Sequence, residues 1–471
     1  MNDAELKAWM LQELSGHADI VLSEDQEEAM RAFLQFLRSG EDRSTYLLTG
    51  SAGTGKTFLI GLFTRILTRS GYKVILLAPT GRAAKVITRR TKRLAYTIHH
   101  HIYSPQDDGM GGVRFATKEN KEKGRIAYIV DEASMIGDHS DGGSNLLRDL
   151  VRYVFEADPT RKLLLVGDPV QLPPVGHNNS PALDVFKLGM AGLELFQAHL
   201  TEVKRQLTGS GILENAVYIR DAYESGNRED LRIAPARDVV LLENAYEAIE
   251  TYLGYYQSGN PDRVLFITYS NYYATRVNQG LRQHIHGTEE LLVPSDLLMV
   301  VRNNYAWGDN KRMPFIANGE MGTVIAVHHD TYEELYGLRW VNVELEFTDS
   351  SGEALLIECK VVLDLLQSKD AQLDRDTTYR VFRERQQTYL DRSPTQAAKA
   401  LQTDPYVNAL QVKYGYAVTG HKAQGGQWEN VLIGFEKDYG NDLRAYLRWT
   451  YTVFTRAEER IFLLSCPFEV Q

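Results

Sequence analysis

The chain has 471 residues, enough for about two to four domains. Its 43% hydrophobic and 24% charged composition is that of a globular protein able to bury a substantial core. A formal net charge of −10 excludes coating of nucleic acid through bulk positive charge, though a local basic track stays open. No apolar run reaches the roughly 18 residues of a membrane span. The N-terminal stretch 1–20 is acidic and mixed, reads as a helix, and lacks the basic start and apolar core of a secretory signal. Cys359 and Cys466 both sit in strand-like apolar contexts, which fits two buried thiols in a reducing, cytoplasmic compartment. No His/Cys cluster has zinc-site spacing.

The apolar run "STYLLTG" reads as a buried strand. "KTFLIGLFTRILTRSG" reads as a helix with Phe58, Leu59, Leu62, Phe63, Ile66 and Leu67 on one face. Between them Gly50, Gly55, Lys56 and Thr57 satisfy the phosphate-loop pattern in the strand–loop–helix context it needs. Gly53, Thr54 and Gly55 let backbone amides turn toward phosphate oxygens, and the helix N-terminus adds partial positive charge. Lys56 is expected on the β- and γ-phosphates and the Thr57 hydroxyl on Mg²⁺.

"VILLAPT" is a second strand, ending at Pro79 and Thr80. The helix after it carries Arg82, Lys85, Arg89, Arg90, Lys92 and Arg93, six positive charges in twelve residues without an acid. Helical spacing puts Arg82, Lys85 and Arg89 on one face, as a nucleic-acid track or as a solvated surface. His99, His100 and His101 are consecutive and point in different directions, which argues against a metal site, and His99 is kept as a candidate nucleic-acid contact. Residues 104–124 are polar and glycine-rich and read as an exposed hairpin, with a plain surface loop as the alternative.

"IAYIV" is a continuous apolar strand with Asp131 and Glu132 at its carboxyl end, where doubly wound sheets place their ligands. Asp131 is expected to hold Mg²⁺ and Glu132 to orient and deprotonate the attacking water; alternatively the pair caps a helix. "KLLLVGDPVQLPPVG" ends a third strand at Asp168 and Gln171, the latter an amide able to touch both water and γ-phosphate. Farther on, "VLFITYS" is strand-like and Asn271 is expected to cap the following helix, which bears Arg276, Asn278 and Arg282. "RWVNVELEF" alternates strictly, with Val341, Val343, Leu345 and Phe347 inward. "TTYRVFRERQQTYLDRSP" reads as a helix with Tyr379, Phe382, Gln386 and Tyr389 on one side.

In order along the chain, "GSAGTGKT", "APTGRAAK", "IVDEAS", "GDPVQLPPV", "LTEVKRQ", "VTGHKAQGGQWENV" and "YTVFTRAEER" resemble the motifs of superfamily 1 helicases, most closely the RecD/Dda-like, 5′-to-3′ branch called 1B. The resemblance covers about residues 22–464 and is weakest between 290 and 410. It implies an α/β fold of two RecA-like doubly wound parallel-sheet motor domains, with a small hairpin insertion and an SH3-like β-barrel insertion. The implied boundaries are 21–103 with 125–205 for the first motor domain and 104–124 for the hairpin, a pin that splits duplex. The second motor domain is expected at 206–290 with 414–471, and the barrel with a helical stalk at 291–413. By resemblance Gln26 reads adenine, although a surface glutamine is the plain alternative. Arg205 and Arg456 reach the γ-phosphate from the second domain, and Gln424 and Gly425 face nucleotide. Pro79, Thr80, Thr97, Thr419 and His421 face the nucleic acid. The implied whole is a monomeric ATP- and Mg²⁺-dependent DNA helicase that acts on single strands and single/double-strand junctions, without a membrane. In a bacterium it would be nucleoid-associated. A nucleotide-gated clamp without unwinding and an RNA-directed motor are the alternatives.

Overall fold

A computed structural model describes residues 22–107, 113–138, 145–203, 209–226, 232–257, 260, 262–308, 312–313, 315–349, 352–436 and 442–470. The expected N-terminal helix and Arg205 lie outside these residues.

The chain opens with α1 (Glu24–Arg38), β1 (Ser44–Gly50), α2 (Lys56–Arg69), β2 (Lys73–Ala78), α3 (Gly81–Thr91), β3 (Ala95–Thr97) and the short α4 (Ile98–Ile102). There follow β4 (Tyr103–Asp107), β5 (Val113–Thr117), β6 (Ile126–Val130), α5 (Leu146–Phe155), β7 (Lys162–Gly167), α6 (Val185–Met190) and β8 (Glu194–Leu200). Six strands form one parallel sheet in the order β3-β2-β6-β7-β1-β8. Strands β6 and β7 are buried along their whole length, which is why they read as unbroken apolar runs rather than alternations. Separate apolar clusters cover the two faces of the sheet. Strands β4 and β5 pair antiparallel from Tyr103 opposite Thr117 to Asp107 opposite Val113, so a hairpin stands where one was expected; its tip, 108–112, is outside the described residues.

The second half contains α7 (Gly211–Ser225), β9 (Arg232–Ile233), β10 (Val239–Leu242), α8 (Ala245–Tyr255), β11 (Val264–Thr268) and α9 (Asn271–His286). Next come β12 (Leu297–Val300), β13 (Met321–Leu335), β14 (Leu338–Thr348), β15 (Ala354–Val362), α10 (Arg375–Gln387), α11 (Pro394–Gln402) and β16 (Leu410–Tyr414). The chain finishes with β17 (Ala417–Thr419), α12 (Gly420–Ala423), β18 (Trp428–Gly434), α13 (Leu443–Phe454), β19 (Ala457–Leu464) and β20 (Glu469–Val470). A second parallel sheet has the order β10-β19-β18-β11-β17, built from segments on both sides of the insertion. Ser270, not Asn271, caps α9: the Ser270 hydroxyl accepts from the amide of Tyr273, and Asn271 is the first helical residue.

The insertion contains a closed barrel, β12-β13-β14-β15-β16. Its alternation is as read, with Val341, Val343, Leu345 and Phe347 all buried. Helix α10 does not present Tyr379, Phe382, Gln386 and Tyr389 alike on one side. Phe382 is buried while Tyr379 is exposed, and Tyr389 falls past the helix end, donating from its hydroxyl to Asp404 at 2.7 Å. Arg385 reaches the same carboxylate at 2.8 Å and the Tyr336 hydroxyl at 3.2 Å, which docks the helix pair on the barrel.

One continuous apolar cluster runs through the second sheet and the barrel. A buried polar knot fastens the same junction. Arg282 of α9 grips Asp296 with two bonds of 2.8 and 2.9 Å, the Tyr416 hydroxyl donates to that carboxylate at 2.9 Å, and His286 lies 3.3 Å away. Arg282 and Asn278 are thus committed to internal bonds, Asn278 to the backbone of Ala274 and Ala417. Removing one partner of a buried pair leaves an uncompensated charge. Asp296→Ala is expected to cost about 3–5 kcal/mol of stability, read as a shift of the denaturant midpoint, whereas a loss below about 1 kcal/mol would mean that water already screens the pair.

Candidate nucleotide cleft and strand-side cleft

The phosphate loop joins β1 to α2. Gly55 caps α2 at φ 92°, and a Cβ there would lie 2.5 Å from the Gln26 amide nitrogen, so only glycine fits. Gln26 is fully buried under the loop, donating to the Thr54 carbonyl at 2.8 Å and accepting from the Ser23 amide at 3.3 Å. Whatever it reads outside, its amide also holds the loop. Its neighbour Asp25, which sequence reasoning passed over, accepts from the amides of Thr201 and Glu202 at 2.6 and 2.9 Å. Burial alone would raise the Asp25 carboxyl, but those amides hold it below the ordinary value. Lys56 donates to the carbonyls of Gly50 and Ser51 at 2.7 and 2.9 Å and stands 3.9 Å from Asp168. Thr57 occupies the first turn of α2 beside it.

Asp131 and Glu132 lie just beyond β6. They do not cap the following 3₁₀ turn by their side chains; Asp131 accepts from the Glu132 amide at 2.8 Å. Glu132 holds a left-handed backbone, φ 53°, a conformation that costs energy in a side-chain-bearing residue and clusters at functional sites. Gln171, from the loop after β7, lies between domains. In the amide orientation that satisfies both neighbours, its nitrogen donates to Glu132 at 3.3 Å and its oxygen accepts from Arg456 at 3.1 Å. Arg456 stands 3.8 Å from Glu132 and is itself almost fully buried. Its guanidinium is oriented by the Thr452 carbonyl at 2.9 Å and the Thr455 hydroxyl at 2.9 Å. The structure therefore gathers Lys56, Asp131, Glu132, Gln171 and Arg456 at one cleft, although Arg456 lies beyond the whole insertion in sequence.

Other expectations are placed elsewhere. Gln424 donates to the Leu172 carbonyl at 2.7 Å and faces a cleft of about 270 Å³ shared with Thr80, Arg82, Pro173, Val175, His421 and Lys422, rather than the phosphate loop. Gly425, at φ 73°, packs against α3, where a Cβ would lie 2.9 Å from the Thr80 hydroxyl. Gln424 thus lines that cleft, and Gly425 packs beside Thr80 and Ala83 at its edge. Thr80 and His421 share that cleft. Thr80 also caps α3 through the Ala83 amide, and Thr97 caps α4 through the His100 amide, so both hydroxyls have local duties. Pro79 precedes the Thr80 cap, and Thr419 is the cap residue of α12. His99 lies with its ring tilted 48° to that of Tyr103, centroids 5.4 Å apart, and burial lowers its pKa to about 4, so it is neutral at pH 7. Burial also lowers His421, and brings Lys422 down to about 8.

The basic residues of α3 divide: Arg82 and Lys85 are partly buried against partners, whereas Arg89 and Arg90 stay exposed. Arg82 lies 4.6 Å over the Trp428 ring and 3.6 Å from Asp262, and Lys85 pairs with Glu320 of the insertion. Arg89 and Arg90 both approach Glu458, at 3.5 and 3.9 Å, and Arg90 donates to Gln427 at 2.7 Å. The acids that match the patch come from three distant segments, so sequence proximity could not reveal them. Residues that sequence reasoning missed line the nucleotide side of the seam: Arg448, Tyr451 and Thr452 on one face of α13. Their helical spacing, with Arg456 a turn beyond, was the available signal.

Two parallel sheets that share a phosphate loop and an acid pair with a buried arginine crossing between them define a two-domain P-loop nucleotide-binding protein. The chain matches an AAA domain over residues 21–240 and a UvrD-like helicase C-terminal domain over residues 414–464. Both matches are of kinds found in nucleotide-driven helicases, and the relatives the chain is similar to carry helicase names. It is 34% identical to the ATP-dependent RecD2 DNA helicase of Deinococcus radiodurans over 36% of this chain and 21% of that protein. It is 26% identical to the ATP-dependent DNA helicase dda of Enterobacteria phage T4 over 42% of this chain and 43% of that one. The chain thus spans less than half of either relative. A solved structure of two coordinating Pif1 helicases at forked dsDNA is 16% identical, covers 94% of this chain and 92% of its own, and superposes with a TM-score of 0.48.

Burial first, and then the charge of Glu132, push the Asp131 carboxyl from 3.8 up to about 7. The folded protein therefore binds this proton more tightly than the unfolded chain, and the destabilising charge grows as pH rises from about 4 through 7. Asp131→Asn is expected to raise the thermal midpoint of the nucleotide-free protein more at pH 8 than at pH 5. Equal gains at both would remove burial of charge as the cause.

Proposed function

We propose that this protein is an ATP-driven DNA helicase that travels along single strands and opens duplex at junctions. The observation that carries the reading is Arg456, a buried guanidinium of the second sheet held against Glu132 and Gln171 of the first. An arginine at that position is useful only if charge develops beside it, as it does on the γ-phosphoryl oxygens during transfer.

In this reading the loop amides and Lys56 bind the phosphates, and Lys56 exchanges its two carbonyl partners for phosphate oxygens. Glu132 accepts the proton of the attacking water and Gln171 orients that water. Arg456, with Arg205, stabilises the transferred charge. The Thr57 hydroxyl and Asp131 would hold Mg²⁺. The fit rests on the donor set: a hydroxyl and a carboxyl, two hard oxygen ligands, with Glu132 beside them; burial first and the Glu132 charge second raise the Asp131 carboxyl, which a cation there would offset. Bound there, the ion would neutralise phosphate charge. Thr80 and His421, which share one cleft, would contact the strand backbone in this reading. The names of the relatives support DNA as the polymer, and 5′-to-3′ polarity follows from the family resemblance.

Purified protein is expected to hydrolyse ATP with strong stimulation by single-stranded DNA. Lys56→Ala should reduce the rate to background, and Arg456→Ala should lower kcat about a thousandfold or more. Paired substrates with 5′ or 3′ tails separate the readings. Unwinding of the 5′-tailed duplex alone supports this one, whereas stimulated hydrolysis without strand separation on either substrate would favour a nucleotide-gated clamp.

A further inference from the structure

Helix α13 grips residues 168–179 of the first domain and touches its phosphate loop at one point. Arg448 donates to the carbonyls of Pro169 and Asn178 and to the Asn179 side chain. The Thr452 hydroxyl accepts from the Leu172 amide at 2.9 Å. Between them the Tyr451 hydroxyl donates to Asp168 at 2.8 Å and accepts from the Ala52 amide, inside the phosphate loop, at 2.7 Å. Tyr451 and Asp168 are both essentially without solvent contact. The phenol therefore joins three parts of the protein at one oxygen: the phosphate loop, the carboxyl end of β7, and the helix that leads to Arg456.

We propose that Tyr451 is a positioning residue that transmits the state of Lys56 to Arg456 through Asp168. Asp168 has three partners: the Val170 amide at 3.0 Å, the Tyr451 hydroxyl, and the Lys56 ammonium at 3.9 Å. Recruitment of Lys56 by a triphosphate withdraws the cation. A buried carboxylate with fewer donors binds the remaining ones more strongly, so the Tyr451 bond tightens as Lys56 leaves. Because Tyr451 also holds the Ala52 amide, that tightening pulls α13 toward the loop. The Thr452 carbonyl, on the next residue of the helix, is the group that orients the Arg456 guanidinium. Burial and the Asp168 charge push the phenol well above its ordinary value, so the hydroxyl remains the donor.

The proposal rests on the ATPase reading above. Tyr451→Phe keeps the ring and removes only the hydroxyl. The expected result is a kcat for DNA-stimulated hydrolysis lowered about tenfold or more, with the dissociation constant for a fluorescent ADP changed less than about threefold, since Lys56 and the other loop amides remain. Asp168→Asn should lower kcat comparably, and the double variant should be no slower than the slower single one, because both changes cut the same link. Thermal midpoints above the assay temperature confirm that each variant is folded. A Tyr451→Phe kcat equal to wild type, with Lys56→Ala inactive, overturns this proposal and leaves the ATPase reading standing; so do losses that multiply in the double variant. Absence of hydrolysis by the wild-type protein would overturn both.

Discussion

The structure depends on a polar seam. Much of what joins the two sheets at one cleft passes through residues 168–179, held by α13 and by Gln424, and those contacts are mainly hydrogen bonds among buried groups. Such a seam is geometrically exacting, because each buried donor or acceptor left unpaired costs about 1–3 kcal/mol. It is also reversible, since the same groups can be resolvated when the sheets part. An apolar seam of equal area would hold more tightly and report less. The one apolar element in it is small: Val170 and Leu172 leave the first domain in sequence but pack into the core of the second, worth roughly 1.5–3 kcal/mol each.

On the opposite side, α3 supplies a different kind of contact. Its ion pairs with Asp262, Glu320 and Glu458 are partly exposed, so salt and water weaken them, and each contributes little alone. Their value is geometric. Lys85 reaches the insertion, whereas Arg82, Arg89 and Arg90 reach the second sheet, and Arg82 adds a ring contact with Trp428. An aromatic stack of Tyr96, His100, Phe315 and Tyr305, with successive centroids 5.8, 5.7 and 5.1 Å apart, runs parallel to this bridge. Charge concentration on a helix is thus a poor guide to its partner, because the pattern shows what the helix offers and not what faces it.

The same distinction explains what could be read from the residues alone. The buried strands, the phosphate loop and the barrel alternation at 341–347 are local: each is set by the period of neighbouring side chains and by the backbone freedom of a few glycines. The hairpin was legible from composition. The α9 cap was missed by one residue, because Ser270 and Asn271 are both good caps and only the path of the chain chooses between them. For Gln424 a motif fixes order along the chain, whereas its bond to the Leu172 carbonyl depends on a loop about 250 residues earlier, which no local pattern shows. Tyr451 went unassigned for a related reason. Its role exists only once Ala52 and Asp168, one from a loop before α2 and one from the end of β7, are brought to the same point.

The division of the core also constrains how the parts can move. The barrel and the second sheet share one apolar cluster and the buried Arg282–Asp296–Tyr416 knot, whereas the first sheet keeps two clusters of its own. Separating barrel from second sheet would expose apolar surface and strand a buried charge pair. Separating either from the first sheet breaks mainly polar and ionic contacts that water can replace. The lower-cost displacement therefore carries barrel and second sheet together. In that displacement the α3 contacts to Glu320 and to Glu458 loosen in concert with the α13 contacts to residues 168–179. Changes at the phosphate loop are in this way tied by packing to changes at the cleft that holds Thr80 and His421, without a dedicated pathway between them.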